Sequence, residues 1–555
     1  MVRATFSGFN TALSALQANQ KRLDITGQNL SNMNTAGYTR QQLEASSLNY
    51  TNPVSHYSNG NETAVGFGVS MDRVSQIRDP YLDIQYRSQS ADCSYTNRLQ
   101  TALNSLSKVL DETTISGIRK AFDNVQSTLT SMQDPAKVSD PIYESELRTK
   151  MQSVCNLFNQ ASRQITQAEQ NEFQRLTGEG SSEQGDVQKI NDILRQIGDL
   201  NVQIKRNQVA GHPSLELQDE RNLLLDELSG YIPVETRYYK DDAHSGNNAY
   251  DYDANGAVIG KKDWPDDLEV SMNYIDAQGK SQKLILVNGS DLGADGLTKN
   301  YGQLSVLNRD HQPAASVSDP ANISIKFEKA PSYQVNGQAA TDVYAELKGI
   351  HFEGGSLQAS LDMLQKKGTG NVINGSVDDV RGYQYYSEKL DQLADTFAKS
   401  MNASNNGNNH KDQNLLSNST DDSTNGITAG NIGISKGWTN GTIHISTDGT
   451  NRTDTILDMI AAMKDTKKLN GKTFADYMNN LSTQLASDSS SNQTALKTGT
   501  TVLNSIQDSR DSLSGVSLDE EATNMMAYVS AYNAASRLMT ALDEVLNTLI
   551  SNTGA

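Results

Sequence analysis

The chain has 555 residues, with 47 Lys plus Arg against 66 Asp plus Glu and a net charge of -19. That balance opposes binding to nucleic acid or to an anionic lipid surface, since both need a positive face. No apolar run approaches the roughly 18–20 residues of a membrane span; Leu284 to Val287 is about the longest, and the length points to several domains.

The first element is an amphipathic helix. Phe6, Phe9, Leu13, Leu16, Leu23 and Leu30 recur at three, four or seven positions, with Ala12, Ala15 and Ala18 between them. It stops within Asn29 to Tyr38, where Asn side chains compete for backbone groups and Gly37 accepts the left-handed conformation that ends helices. The start, Met1 to Phe6, lacks an apolar signal core and a small-residue cleavage pattern. Residues 38–78 read as short strands, with turns at Asn59-Gly60 and Gly66 to Gly68.

A run of helices follows. Asp79-Pro80 and Asp140-Pro141 each read as an N-cap with proline at the first helical position. The first helix carries Leu82, Tyr86, Leu99, Leu103, Leu106 and Leu110, and the next Ile118, Phe122, Val125, Leu129 and Met132. A third holds Leu147, Met151, Val154, Phe158 and Ile165, a fourth Ile190 to Ile204, and a fifth Leu217 to Leu228. Five helices on short links predict a bundle. Cys93 and Cys155 fall inside helical patterns and read as packed thiols rather than a disulfide.

At Ile232-Pro233 the period changes to alternation. From Val234 to about Phe352 short strands are separated by Asn-Gly and Gln-Gly turns, which predicts an inserted all-β domain. Helix returns at Ser356 and again from Val377 to Met401; Asn402 to Ser423 reads as a loop, and Gly430 to Ser435 pairs with Gly441 to Ser446. Helices from Thr455 to Met463, Thr473 to Leu485 and about Gln493 to Leu513 lead into the last one, Leu518 to Ile550. Its row through Leu518, Met525, Val529, Tyr532 and Met539, continued by Leu542 and Leu549, is a coiled-coil seam that needs another helix. The fold class is therefore multidomain α+β: N- and C-terminal coiled-coil helices, a long helical bundle and an inserted all-β domain. The expected units are 1–75 with 513–555, 76–231 with 357–512 (including the small strand pair near 430–446), and 232–356.

Sites for chemistry are sparse. The seven His residues are scattered, and neither a zinc spacing nor a nucleophile elbow is present. Gly471-Lys472-Thr473 has Thr466 where a phosphate-binding loop needs glycine, so it reads as a helix cap. Asp251, Asp253 and Asn255 before Gly256 match half of a calcium loop, but the twelfth position is Lys262, and an acidic hairpin tip accounts for the pattern better. Other acidic residues, Asp219-Glu220-Arg221 among them, read as solvated helix faces. No catalytic residue and no cofactor are expected.

Asn29 to Arg40 (Asn-Leu-Ser-Asn-Met-Asn-Thr-Ala-Gly-Tyr-Thr-Arg) resembles the N-terminal signature of bacterial flagellar axial proteins. Ser514 to Ala522 with Tyr532, Arg537 and Asp543-Glu544 resembles their C-terminal one. Leu217 to Leu228 and Thr473 to Tyr477 are similar to segments of the hook-associated protein 1 family. That resemblance implies a structural protein, not an enzyme: a ring of identical subunits at the hook–filament junction. It also implies contacts with the hook protein and a second hook-associated junction protein, and an export chaperone at the C-terminal helix. The chain would leave through the flagellar export channel without a cleaved signal and sit outside the cell. Neither nucleic acid nor membrane is an expected partner. The implied assembly contacts are Leu13, Leu16, Leu23, Leu30, Asn34 and Gly37 at one end. At the other they are Leu518, Met525, Val529, Tyr532, Met539, Leu542 and Leu549. Relatives usually carry Gln where this chain has Val529 and Ser530. Two alternatives remain open at this point: another axial (hook or rod) protein, and a secreted adhesin using the β domain.

Overall fold

The computed structural model describes residues 7–48, 68–110, 117–138, 140–178, 183–240, 250–252, 258–261, 266–275, 280–290, 300–307, 324–328, 334–335, 338–339, 343–346, 351–373, 376–407, 412–446 and 453–553. The chain opens with α1 (Ser7–Asn32), followed by an antiparallel hairpin of β1 (Gln41–Ser47) and β2 (Val69–Gln76). The bundle helices are α2 (Pro80–Leu110), α3 (Ile118–Ser131), α4 (Pro135–Val138), α5 (Pro141–Thr177), α6 (Asp186–Val209) and α7 (Leu215–Tyr231). Both Asp-Pro starts behave as the sequence predicts. The Asp79 carboxylate accepts from the Tyr81 amide at 2.8 Å and that of Asp140 from the Ile142 amide at 2.9 Å.

The β region holds β3 (Glu235–Lys240), β4 (Asp266–Ile275), β5 (Ser281–Asn288), β6 (Gln303–Leu307), β7 (Ser324–Glu328), β8 (Val343–Glu346) and β9 (His351–Phe352). β4 is central, pairing antiparallel with β3, β5 and β9, while β7 lies between β6 and β8. Polar side chains on α6 bond directly to the backbone of the two sheets. The Asn191 amide group donates to the Leu304 carbonyl and accepts from the Leu304 amide, both at 2.7 Å. Asn201 donates to the carbonyls of Leu268 at 3.1 Å and Gly289 at 3.0 Å, and is itself held by Arg221 at 2.7 Å. Gly198 makes this approach possible, because a Cβ there would stand 2.7 Å from the Tyr301 ring. Leu268, Val270 and Met272 thus join one apolar core with the helices.

The chain returns through α8 (Gly355–Gln365), α9 (Tyr383–Asn406), β10 (Leu416–Asn418), β11 (Ile432–Ile434), α10 (Lys436–Asn440), α11 (Asp454–Lys464), α12 (Phe474–Ser514) and α13 (Leu518–Thr553). Phe122 on α3 sits 5.1 Å from Phe397 on α9 and 5.5 Å from Phe474 on α12, tying early and late helices into one bundle. Thr473 caps α12, its hydroxyl accepting from the Asp476 amide at 3.2 Å, as expected of Gly471 to Thr473.

Four local expectations need correction. The helix expected from Val377 starts at Tyr383, because the Asp378 carboxylate accepts from the amides of Lys367, Gly368 and Thr369 and closes a turn. The loop expected from Asn402 is helical to Asn406, and buried Asn402 holds Leu415 and Leu416 through their backbones. β11 pairs with β10, not with Gly441 to Ser446. The helices drawn at Thr473–Leu485 and Gln493–Leu513 are one, continuous over 41 residues. Its polar middle is held along α2 instead of breaking: Gln100 donates to the Ser489 hydroxyl at 2.7 Å, and Asn492 to the Thr96 carbonyl at 2.8 Å.

Candidate functional site

The two terminal helices pack on each other. Ala12, Ala18 and Ile25 on α1 and Ala535 on α13 are buried between elements, and Arg22 lies over the Tyr528 ring at 5.7 Å. Along α13 the buried or half-buried row Glu521, Met525, Tyr528, Tyr532, Ala535, Met539, Leu542 and Leu546 keeps the three–four spacing of a helix pair. Met525, Tyr532, Met539 and Leu542 therefore belong to the seam. Leu518 and Val529 do not: they are 51% and 42% exposed. The row near the bundle is rotated onto Glu521 and Tyr528 because the facing part of α1 is polar, with Thr26 and Asn29 buried. On α1, Leu13 is 46% exposed, Leu16, Leu23 and Leu30 are half-buried, and Asn34 and Gly37 are exposed. Gly37 has φ +78, the left-handed turn expected after the helix. The side chain of Leu549 lies outside the described residues.

Pairing α1 with α13 covers one stripe of each and leaves the rest open. At 3.6 residues per turn, exposed Leu518, Met526 and Val529 lie to one side of the α13 seam, and exposed Leu538 and Val545 to the other. This helix thus shows uncovered apolar surface on two flanks.

Where the pair meets the bundle, a neck of charged side chains surrounds a cleft of about 800 Å³. The Asn29 side-chain amide group donates to the Gln41 carbonyl and accepts from the Gln41 amide, both at 3.0 Å, and accepts from the Tyr38 hydroxyl at 2.9 Å. Arg40 donates its amide to the Ser514 carbonyl at 2.8 Å and pairs with Glu520 at 2.5 Å, joining the connector to both sides of the α12–α13 break. Thr39 reaches α7: its hydroxyl donates to Asp219 Oδ1 at 2.6 Å and its amide to Asp219 Oδ2 at 3.1 Å. Next to it Arg78 pairs with Asp83 at 2.5 Å, Arg510 with Asp83 at 3.0 Å and with Asp226 at 2.7 Å, and Arg87 with Asp226 at 2.8 Å. Arg510 also stacks on Tyr86 at 4.2 Å.

Burial splits the carboxylates of this neck. It would raise Asp83, but the Arg78 hydrogen bond and the charges of Arg78, Arg510 and Arg87 hold it below the usual range. Burial pushes Asp219 up to about 6, offset only in part by Thr39 and Arg78. Burial, reinforced by Glu216, Asp219 and Glu521, likewise raises the Tyr38 hydroxyl.

Asp219 and Arg221 are thus not a solvated face, as the sequence suggests, but buried at 6% and 4% exposure. Partners 180 and 284 positions apart, Thr39 with Asp219 and Asp226 with Arg510, carry no local signal. In the half calcium loop, Asp251 lies on a strand (Tyr250–Tyr252) paired with Val258–Lys261, and Asp253 and Asn255 lie outside the described residues. Cys93 and Cys155 are buried free thiols.

Residues 103–262 match the family model of the flagellar hook-associated protein FlgK helical domain. Residues 9–39 match that of the flagella basal body rod protein, and residues 509–552 that of the flagellar basal body rod FlgEFG protein C-terminal region. The chain is 29% identical to flagellar hook-associated protein 1 of Bacillus subtilis, covering 99% of both chains. It is 28% identical to flagellar hook-associated protein 1 of Escherichia coli over 41% of this chain and 39% of that one. A solved structure, the flagellar hook junction protein FlgK from Burkholderia pseudomallei, is 19% identical with a TM-score of 0.37, over 61% of this chain and 45% of that chain.

Proposed function

Because the chain belongs to the flagellar hook-associated protein 1 family, we propose that this flagellar structural protein forms the hook–filament junction as a ring of identical subunits. The observation that carries the reading is the uncovered apolar surface on both flanks of α13, beside a seam already closed by α1. A helix left open on two opposite sides is completed by two neighbours, which is what a closed ring or tube supplies. Each exposed Leu, Val or Ile covered there contributes roughly 1.5–3 kcal/mol.

In this reading residues 1–75 and 513–555 line the inner tube, residues 76–231 and 357–512 form the surrounding bundle, and residues 232–356 face outward. Leu13, Leu518 and Val529, exposed in the single chain, make contacts between copies. Tyr532, Met539 and Leu542 make the seam within one copy. The hook protein and a second hook-associated protein lie above and below the ring. An export chaperone holds α13 before secretion, which keeps its open flanks from pairing too early. The helical-domain match separates this reading from a rod or hook protein, whose models match only the ends.

Deletion of the gene tests it. Hooks without filaments, with flagellin shed into the medium, are expected, and the full-length gene restores filaments. Normal filaments in the deletion strain would remove the junction reading.

A further inference from the structure

The terminal helix pair is joined to the bundle at few points, and one of them has an unusual charge balance. Asp219 on α7 is buried and receives two neutral donors, the amide and hydroxyl of Thr39. Its nearest cation, Arg78, stands 3.8 Å away and is already committed to Asp83 at 2.5 Å. The other arginines of the neck, Arg87 and Arg510, pair with Asp226, and Arg510 also with Asp83. Glu216, one turn earlier on the same helix, adds negative charge, and the Tyr38 hydroxyl, which donates to Asn29, supplies no cation. On the connector side Arg40 is occupied by Glu520.

We propose that the Thr39–Asp219 contact is a proton-sensitive latch that holds the terminal helices at a set angle to the bundle. Its sign follows from where the proton goes. In the latched state Asp219 is buried and under-compensated, so its affinity for a proton is raised; released into water it returns to an ordinary carboxylate. The latched state therefore binds the proton more tightly, and acid favours it. A protonated Asp219 keeps both contacts: its carbonyl oxygen accepts from the Thr39 amide, and its hydroxyl donates to the Thr39 hydroxyl oxygen. As pH rises through the latched-state value, the buried charge must be accommodated and the latch loosens. Two pKa units of difference correspond to about a hundredfold in the latching equilibrium. The latch is independent of which assembly the chain joins.

Hydrogen exchange of the Thr39 amide in full-length monomeric protein, corrected for the intrinsic rate at each pH, reads the latch directly. The Gln41 amide, held by the Asn29 side chain, is the internal control for a folded neck. Wild-type protection at Thr39 is expected to rise about tenfold from pH 7.5 to pH 5, with Gln41 unchanged. Asp219→Asn, the neutral isostere, is expected to be protected equally at both pH values. Thr39→Ser keeps both donors and is expected to follow the wild type, so the wild-type and Thr39→Ser profiles decide the matter even if Asp219→Asn does not fold. Protection at Thr39 that is independent of pH in the wild type, or a pH response that survives in Asp219→Asn, overturns the proposal.

Discussion

At the scale of single residues, the neck shows how the same residue type takes opposite roles a few ångströms apart. Asp83, between Arg78 and Arg510, is held in its charged form. Its contribution to stability is present above its unfolded pKa near 4 and is lost as pH falls through the lower folded value. Asp83→Asn is therefore expected to flatten the acid limb of the stability–pH curve, read from urea midpoints between pH 2.5 and 5. Asp226 bridges Arg87 and Arg510 with little exposure. Asp226→Ala removes one partner from the buried Arg87 and one from the half-buried Arg510 and should cost about 3 kcal/mol, measured by urea unfolding at neutral pH. Burial also pushes the Cys155 thiol up to about 12. The folded protein should therefore resist alkylation at Cys155 at pH 8, and urea should release it.

At the scale of elements, α13 carries two kinds of apolar residue that a heptad count cannot separate. Leu542 faces α1, within 3.4 Å of a Cβ built at Gly8, whereas Val529 is 42% exposed. Val529→Asp is expected to change the monomer's stability by less than about 0.5 kcal/mol while abolishing self-association, followed by sedimentation across a concentration series. Leu542→Asp should instead separate the terminal pair, seen as loss of amide protection along both helices. The pairing of α2 with α12 obeys a different rule. Gly499 faces the Cys93 sulfur, which a Cβ there would approach to 3.1 Å, and much of the remaining contact is hydrogen-bonded Gln, Asn, Ser and Thr. The helices approach closely at Gly499, and polar side chains that would weaken an isolated helix are stabilised by partners across the gap.

At the scale of the whole molecule, the chain leaves from and returns to the same neck, so the terminal pair and the bundle are coupled through a small set of contacts. Truncation after residue 517 removes α13 and, with it, the cover over α1. The truncated protein is expected to keep the thermal midpoint of the bundle, whose aromatic centre at Phe122, Phe397 and Phe474 is untouched. Self-association should be lost, a result readable by calorimetry and light scattering on the same sample.

Periodicity and capping, which act over one or two turns, were enough to determine the terminal helices, the Asp-Pro and Thr473 starts, the bundle and the change to strands at Ile232-Pro233. The resemblance at Asn29 to Arg40 and at Leu217 to Leu228 likewise rested on contiguous residues. Only the tertiary structure decided which side of α13 meets α1, that residues 474–514 form one helix, that β11 takes β10 as its partner, and that Asp219 is buried under Thr39. Each of these depends on what stands opposite a residue across the fold, and for a charged or polar side chain that partner, far away in the chain, decides between solvent and burial.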